Sequence, residues 1–222
     1  MTSPRRGRFP SAKTRAPQLL ERLGELYPHA TCSLDWRTPY ELLIATMLSA
    51  QCTDERVNLI TPALFERFPD AAAAAVVEAD AVEPYVRSAG FFRNKAKNIV
   101  ASSRLLMELH GGEVPRSMEE LLELPGVARK TASVVLAWCF GINAGVTVDT
   151  HVSRLAQRLR LSRHSEPRRI EPDLMKLVPQ ANWQDLSIRL IFHGRAVCTA
   201  RSPRCGSCPI ADLCPMGGRP AG

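Results

Sequence analysis

The chain has 222 residues, of which 45% are hydrophobic and 23% charged, a composition typical of a globular protein with one or two packed domains. No stretch approaches the roughly 18 consecutive apolar residues of a membrane-spanning helix, which excludes that class. The formal net charge of +7 comes from 29 basic and 22 acidic side chains and favours a polyanionic partner.

The charge is distributed unevenly along the chain. Residues 1–16 carry five basic and no acidic side chains, residues 17–142 carry 12 and 16, and residues 143–222 carry 12 and 6. The first segment is rich in Arg, Ser and Pro, so we expect residues 1–16 to form a disordered basic tail. Because no apolar stretch follows its arginines, we do not interpret it as a secretory signal and expect a cytoplasmic, nucleoid-associated protein.

Helical periodicity runs through nearly the whole chain after this tail. Leucines at helical spacing occupy residues 19–26, capping boxes begin at Thr38 and Ser117, and Thr53 can cap a further helix. Other helices are predicted over residues 70–77, 80–87, 94–109, 128–140, 149–160, 168–178 and 183–194. Since no alternating run with hairpin turns is present, the sequence predicts an all-α fold.

A tight turn at Pro125 and Gly126 joins two of these helices. We expect Gly126 to have a positive φ angle. The backbone N–H groups around the start of the second helix would then point outward beside its positive dipole end, where they can bind phosphate without reading base sequence. These groups belong to Gly126, Val127, Ala128 and Arg129. An ordinary corner between two helices also contains glycine, so this alternative stays open.

Lys130 follows directly in a chain that uses 24 arginines and only five lysines. Because this chain mostly uses arginine where charge alone matters, a lysine here favours a role that requires an amine. An amine can lose its proton and attack carbon, whereas a guanidinium stays protonated. A simple phosphate contact by Lys130 is the alternative.

Four of the seven cysteines cluster near the end of the chain in the pattern C-x6-C-x2-C-x5-C. They are Cys198, Cys205, Cys208 and Cys214. Four thiols within 17 residues indicate a metal site rather than a disulfide framework. Both zinc and a [4Fe–4S] cluster accept four thiolates, and general ligand chemistry does not choose between them.

At several places the chain resembles the endonuclease III family of DNA glycosylases. The segment Leu124–Ala132 is similar to the family's helix-hairpin-helix, and Leu48–Asp54 to its first DNA-contact loop. Val148–Val152 is similar to its catalytic aspartate segment, and His193–Arg195 leads into four cysteines at the spacing of its [4Fe–4S] loop. Ala128 departs from the pattern, because the family usually has a second glycine there.

The resemblance implies two helical domains with a DNA-binding cleft between them. Residues 32–142 would form a six-helix barrel that contains the helix-hairpin-helix at about residues 119–140. Residues 17–31 and 143–222 would form a second domain that carries one [4Fe–4S] cluster.

The resemblance also implies a glycosylase and lyase that acts as a monomer on damaged double-stranded DNA. The damaged nucleotide would be flipped out of the duplex, and Lys130 would displace an oxidised pyrimidine such as thymine glycol at C1′. Asp149, by position an N-cap, would stabilise the positive charge that develops on the sugar. β-Elimination through the lysine Schiff base would then cut the strand 3′ to the abasic site.

Further DNA contacts follow from the resemblance. Gln51 matches the residue inserted opposite the orphaned base, and its amide can both donate and accept hydrogen bonds. Phe91 lies where the family places an apolar wedge, which can stack on a base. Lys95, Arg201 and Arg204 are candidates for contacts with phosphate, and Thr53 is a further candidate DNA contact.

Two alternatives remain. An adenine-specific mismatch glycosylase has a similar fold and cluster, but it lacks the nucleophilic lysine and needs a carboxylate where this chain has Met47. A non-catalytic iron–sulfur protein that binds DNA would need neither Lys130 nor Asp149.

Overall fold

The computed structural model describes residues 9–217, and regular structure in this range is helical throughout. This confirms the all-α prediction. The described residues form eleven α-helices: α1 (Ala12–Leu26), α2 (Pro39–Leu48), α3 (Asp54–Arg67), α4 (Ala71–Ala75), α5 (Ala79–Val86), α6 (Phe92–His110), α7 (Met118–Glu123), α8 (Arg129–Phe140), α9 (Thr150–Arg158), α10 (Pro167–Met175) and α11 (Trp183–Ala196). In this part of the chain, no helix combines the length and apolar character needed to cross a membrane.

The chain divides into two compact units, each with a hydrophobic core of its own. The hairpin unit, Cys32–Ala144, contains α2 to α8, and α2 is buried from Tyr40 to Leu48. The cysteine unit, Met1–Thr31 together with Gly145–Gly222, contains α1 and α9 to α11. Leu19 and Leu23 of α1 pack there against apolar residues of the later helices.

The helix starts predicted from capping residues are confirmed. The hydroxyl oxygens of Thr38, Thr53 and Ser117 each accept a hydrogen bond of 3.2 Å from the main-chain N–H three residues further on. Each bond satisfies an N–H group that has no acceptor inside its helix and is worth about 1 kcal/mol. Local sequence therefore sets where α2, α3 and α7 begin.

The expectation of a disordered tail is wrong for the last residues of that segment, while residues 1–8 lie outside the described range. Helix α1 begins at Ala12, and Arg15 is only 3% exposed. The Arg15 guanidinium donates hydrogen bonds to the main-chain carbonyls of Leu159 and Leu213, which lie 144 and 198 residues further along the chain. Tail composition does not reveal such distant acceptors, which compensate the burial of the charge.

Candidate functional site

The connection between α7 and α8 is a type II turn. The N–H of Val127 donates a hydrogen bond of 3.0 Å to the carbonyl of Leu124, and Gly126 has a φ angle of +81°. The positive φ expected at Gly126 is thereby confirmed. A Cβ atom at this position would also lie 2.5 Å from Nδ2 of Asn98. Glycine is required here by both backbone conformation and space.

The N–H of Val127 is not available to phosphate, because it closes the turn, and the side chain of Val127 is buried. The predicted phosphate contact through this N–H is therefore wrong. Ala128 is the exposed N-cap residue of α8, and its methyl group makes no capping hydrogen bond. An anion can approach the start of α8, where N–H groups and the helix dipole favour negative charge.

Lys130 lies in the first turn of α8 with an exposed side chain. Thr131 and Ala132, which follow it, are buried, so α8 directs its next residues into the core. Within residues 9–217, Lys130 makes no ion pair and no side-chain hydrogen bond. Its amine is therefore available to an external partner beside the turn.

Asp149 is the N-cap of α9, as its position predicted. Its Oδ1 atom accepts a hydrogen bond of 2.7 Å from the N–H of Val152. This bond fixes the orientation of the carboxylate. Asp149 belongs to the cysteine unit, whereas Lys130 belongs to the hairpin unit.

Helix α11 packs closely against α9 just beyond Asp149. A Cβ atom on Gly194 would lie 3.0 Å from both Cβ and Nδ1 of His151, so only glycine fits without displacement. Arg154 donates hydrogen bonds to the carbonyls of Gly194, at 3.0 Å, and Cys198, at 3.1 Å. Burial lowers the pKa of His151, and the nearby Asp149 carboxylate opposes that shift. Arg154 thus links α9, whose N-cap is Asp149, to Cys198, the first of the four clustered cysteines.

Gln51 and Phe91 are both exposed and both have a left-handed backbone, with φ angles of 55° and 47°. Only one other non-glycine residue in the described range, Arg160, shares this conformation. A left-handed backbone is unfavourable for these residue types and is often found at functional sites. Phe91 leaves 70% of its surface exposed, whereas Phe92 packs partly against the core.

Lys95 does not point outward as expected. It is 7% exposed, and its Nζ donates hydrogen bonds to the carbonyls of Leu48, at 2.8 Å, and Ala89, at 2.7 Å. Burial lowers its pKa. The predicted phosphate contact is wrong, because both acceptors are buried main-chain groups that a sequence pattern does not reveal. Thr53 is exposed and caps α3 with its hydroxyl.

All four clustered cysteines line one cavity in the cysteine unit, which is partly open to solvent. Among residues 9–217, no three His, Cys, Asp or Glu side chains lie close enough to ligate a single metal ion. The shared cavity and the all-thiol donor set fit a polynuclear iron–sulfur cluster. The cysteines are Cys198, Cys205, Cys208 and Cys214.

Arg158 supports the start of this loop. Its Nη1 lies 3.2 Å from Sγ of Cys198 and donates a hydrogen bond of 2.7 Å to the carbonyl of Thr199, while Nη2 donates to Ala200. A hydrogen-bond donor beside a ligating sulfur orients that ligand for the metal group it holds. The sequence alone did not single out Arg158, because its partners lie about 40 residues away.

Residues of α1 and α11 support the end of the loop. His193 is 1% exposed, and its ring nitrogens lie 3.5 Å from Sγ of Cys208 and 3.0 Å from the hydroxyl of Tyr27. Burial lowers the pKa of His193 to about 4. Arg22 pairs with Asp212 and donates to the carbonyl of Pro209, next to Cys208. The resemblance covers the segment His193–Arg195, whereas Arg22 of α1 and Tyr27, which directly follows α1, have no local signal in the sequence.

The two arginines predicted to face phosphate lie on the same loop and are both exposed. Arg204 also donates a hydrogen bond to the carbonyl of Ala196, the last residue of α11. Arg201 makes no such bond within the described range. Both remain predicted DNA contacts.

Residues 44–180 match the family model for HhH-GPD superfamily base excision DNA repair proteins, and residues 198–214 match that for the iron–sulfur binding domain of endonuclease III. The chain is 62% identical to endonuclease III of Synechocystis, over 92% of this chain and 94% of that protein. It is 43% identical to endonuclease III of Escherichia coli, over 91% and 95%.

Solved structures show the same likeness. A trapped covalent intermediate of endonuclease III with DNA superposes with a TM-score of 0.87 at 43% identity, covering 92% of this chain and 96% of that one. A thermostable thymine-DNA glycosylase shares the fold, with a TM-score of 0.82 at 21% identity, covering 93% and 98%.

These matches define a base excision DNA repair protein of the HhH-GPD superfamily. Within that superfamily, the chain belongs to the endonuclease III family. It is therefore a DNA glycosylase and AP lyase that binds DNA and carries a single [4Fe–4S] cluster. The match over residues 198–214 decides against zinc.

Proposed function

We propose that the enzyme excises oxidised pyrimidines, such as thymine glycol, from double-stranded DNA and then cuts the strand 3′ to the abasic site. The observation that carries this proposal is the exposed amine of Lys130 in the first turn of α8. It follows a turn whose glycine accepts no side chain, at a helix start that an anion can approach. In this proposal Lys130 is the nucleophile, and it lies next to the turn that would bind phosphate.

In the proposed reaction the neutral amine of Lys130 forms a bond to C1′ of a flipped nucleotide as the bond between C1′ and the base breaks. The base leaves with the electron pair of that bond and takes up a proton. Loss of the sugar ring oxygen from C1′ gives a Schiff base, which acidifies the C2′ proton. Removal of that proton expels the 3′ phosphate, and hydrolysis of the Schiff base frees the lysine.

Asp149 supports the first step through its negative charge. The N-cap bond from Val152 occupies Oδ1 and fixes the carboxylate plane, and Oδ2 makes no hydrogen bond within the described residues. A carboxylate near the sugar stabilises the positive charge that develops as the base leaves. In this proposal one side chain both caps α9 and assists catalysis.

The remaining residues would hold the opened duplex. Gln51 would occupy the space left by the flipped nucleotide, and Phe91 would stack on a neighbouring base. The backbone N–H groups of Gly126, Ala128 and Arg129 would contact phosphate at the hairpin. Thr53, Arg201 and Arg204 would add phosphate contacts elsewhere, and the bound [4Fe–4S] cluster would fix the loop that carries the two arginines. We further propose that the enzyme acts at the nucleoid, since its substrate is DNA. We also propose that it acts as a monomer.

Borohydride trapping on duplex DNA with one abasic site tests the lysine. The wild type and the control Lys97→Ala, which removes another exposed lysine, should give a covalent complex. Lys130→Ala should give none, whereas Lys130→Gln should still bind the duplex. A trapped complex with Lys130→Ala, or none with the wild type, would show that the lysine is wrongly assigned.

A panel of duplexes with single lesions tests the substrate class. Thymine glycol should be released faster than adenine opposite 8-oxoguanine. Faster release of adenine would support a mismatch glycosylase instead. The structure offers no carboxylate for that role at Met47, which is buried in α2.

A further inference from the structure

One buried ammonium group joins the two segments that carry the candidate insertion residues. Nζ of Lys95 donates hydrogen bonds to the carbonyls of Leu48 and Ala89, at 2.8 and 2.7 Å. Leu48 lies three residues before Gln51, and Ala89 lies two residues before Phe91. The ammonium group therefore links the ends of two turns that are about 40 residues apart in the chain.

Both carbonyls need a donor from outside their own helices. Leu48 ends α2, and Ala89 ends a short 3₁₀ turn, so neither carbonyl has the usual partner one turn further on. Leu48 and Ala89 are 0% and 1% exposed, which keeps water from replacing that donor. Buried carbonyls without donors are costly, and a charged donor makes the stronger hydrogen bond.

The same two turns contain strained backbone. Gln51 and Phe91 have φ angles of 55° and 47°, and both side chains are exposed. Left-handed conformations of such residues persist only where the surrounding structure holds them. Exposed side chains add few contacts of their own. The main chain just before each strained residue, at the end of α2 and at the end of the 3₁₀ turn, must therefore be fixed. Lys95 is the one side chain hydrogen-bonded to both of those ends within the described residues.

We propose that Lys95 is a positioning residue that holds the Gln51 and Phe91 segments at a fixed separation, so that both side chains enter an opened duplex together. It does not touch DNA, and its role is distinct from the phosphate contact that the sequence suggested. The consequence for DNA rests on the insertion roles proposed above for Gln51 and Phe91. The coupling of the two turns does not depend on those roles.

Hydrogen exchange in the free enzyme tests the coupling. Lys95→Met keeps the length of the side chain and removes its donors, and Lys97→Met changes an exposed lysine two residues away on the same helix. Lys95→Met should accelerate exchange by about tenfold in both segments, residues 49–53 and 87–92, because two hydrogen bonds from one charged group are lost. Lys97→Met should change neither. Unchanged exchange, or acceleration in one segment alone, would overturn the proposal.

Binding then tests the consequence for DNA, with an abasic-site analogue in a duplex compared against the intact duplex. Lys95→Met should weaken binding to the analogue about tenfold, with less than about twofold loss on intact DNA. Adding Gln51→Ala to Lys95→Met should weaken binding to the analogue by a smaller factor than Gln51→Ala does in the wild type, since the Gln51 segment is already displaced. Leu106→Ala, which removes a buried side chain from the same helix, controls for general destabilisation.

The outcomes separate the two proposals. If Leu106→Ala, matched for thermal stability, shows the same selective loss, the effect is general destabilisation and the positioning role fails. If exchange rises in both segments but Gln51→Ala and Phe91→Ala weaken binding to both duplexes equally, the insertion roles fail and the coupling by Lys95 stands.

Discussion

The guanidinium of Arg15 donates a hydrogen bond of 2.6 Å to the main-chain carbonyl of Leu213, the residue directly before the last cysteine of the cluster loop. The same group donates at 2.8 Å to the carbonyl of Leu159, next to the arginine that contacts Cys198. Two turns further along α1, Arg22 holds the carbonyl after Cys208. A helix from the beginning of the chain thus fastens the segment that bears two of the four thiols.

Replacing Arg15 by methionine should therefore accelerate loss of the [4Fe–4S] cluster. The change removes a charged donor from two buried carbonyls, so opening of the loop should become about tenfold more frequent. The measurement is the decay of the cluster's visible absorption in air with an iron chelator, at a temperature where far-ultraviolet circular dichroism is unchanged.

Lys13→Met is the matched control for this experiment, since Lys13 is exposed on the same helix. Leu174→Ala supplies a second control, because it removes a fully buried side chain of the same unit that makes no hydrogen bond to the loop. Cluster loss that follows thermal stability across all variants would mean that Arg15 has no specific role in retention.

Gly126 and Gly111 provide a matched pair for the hairpin. Both have positive φ angles, but a Cβ atom at 126 would collide with Asn98, whereas one at 111 would meet nothing within 4 Å. Gly111→Ala should lower the free energy of unfolding by about 1–2 kcal/mol, because alanine is strained in a left-handed backbone. Gly126→Ala should cost roughly 1–3 kcal/mol more from overpacking and should also weaken DNA binding.

Urea denaturation and titration with duplex DNA measure these two effects. DNA binding by Gly111→Ala should match the wild type, because the end of α6 carries no proposed contact. Equal losses of stability in both variants would contradict the steric role of Asn98.

Much of the fold follows from local sequence. Three helices begin after a residue whose hydroxyl accepts a hydrogen bond from the N–H three residues further on, namely Thr38, Thr53 and Ser117. Neighbouring residues therefore determine where these helices start. Glycine after proline likewise determines the turn at 126, since few other residues adopt its φ angle. Capping and turn chemistry act over about four residues, so helix starts and turns can be predicted directly from the sequence.

The error at Val127 is local, because the type II turn at Pro125 and Gly126 itself implies the hydrogen bond to the carbonyl of Leu124. The other errors have a different cause. Residue type predicts a phosphate contact for Lys95 and tail composition predicts disorder for Arg15, but in the structure each side chain donates to main-chain carbonyls far away in the sequence. Such acceptors have no sequence signature, because every residue carries one. Only the fold determines which carbonyls lack a partner and which side chain can reach them.

Arg201 and Arg204 should differ in how their loss affects DNA binding. Arg201→Ala should reduce the slope of log binding constant against log salt by about 0.9, the effect of one phosphate contact, and leave the cluster unaffected. Arg204→Ala should reduce the slope similarly and also loosen the loop, because Arg204 holds the end of α11. Titrations at several salt concentrations, with visible spectra of each sample, measure both effects. An unchanged slope for Arg201→Ala would remove it from the DNA interface.

Two substitutions at Asp149 should separate capping from catalysis. Asparagine caps helices about as well as aspartate, so Asp149→Asn should keep the bond to the N–H of Val152 and leave the free energy of unfolding nearly unchanged. Asp149→Ala should lower the free energy of unfolding by about 1 kcal/mol, because the N–H of Val152 then lacks its acceptor. Both variants should lose base excision by a similar large factor, since both lack the negative charge. Single-turnover excision and urea denaturation of both proteins decide the matter. If Asp149→Asn excised the base at nearly the wild-type rate, the carboxylate would act only as a cap.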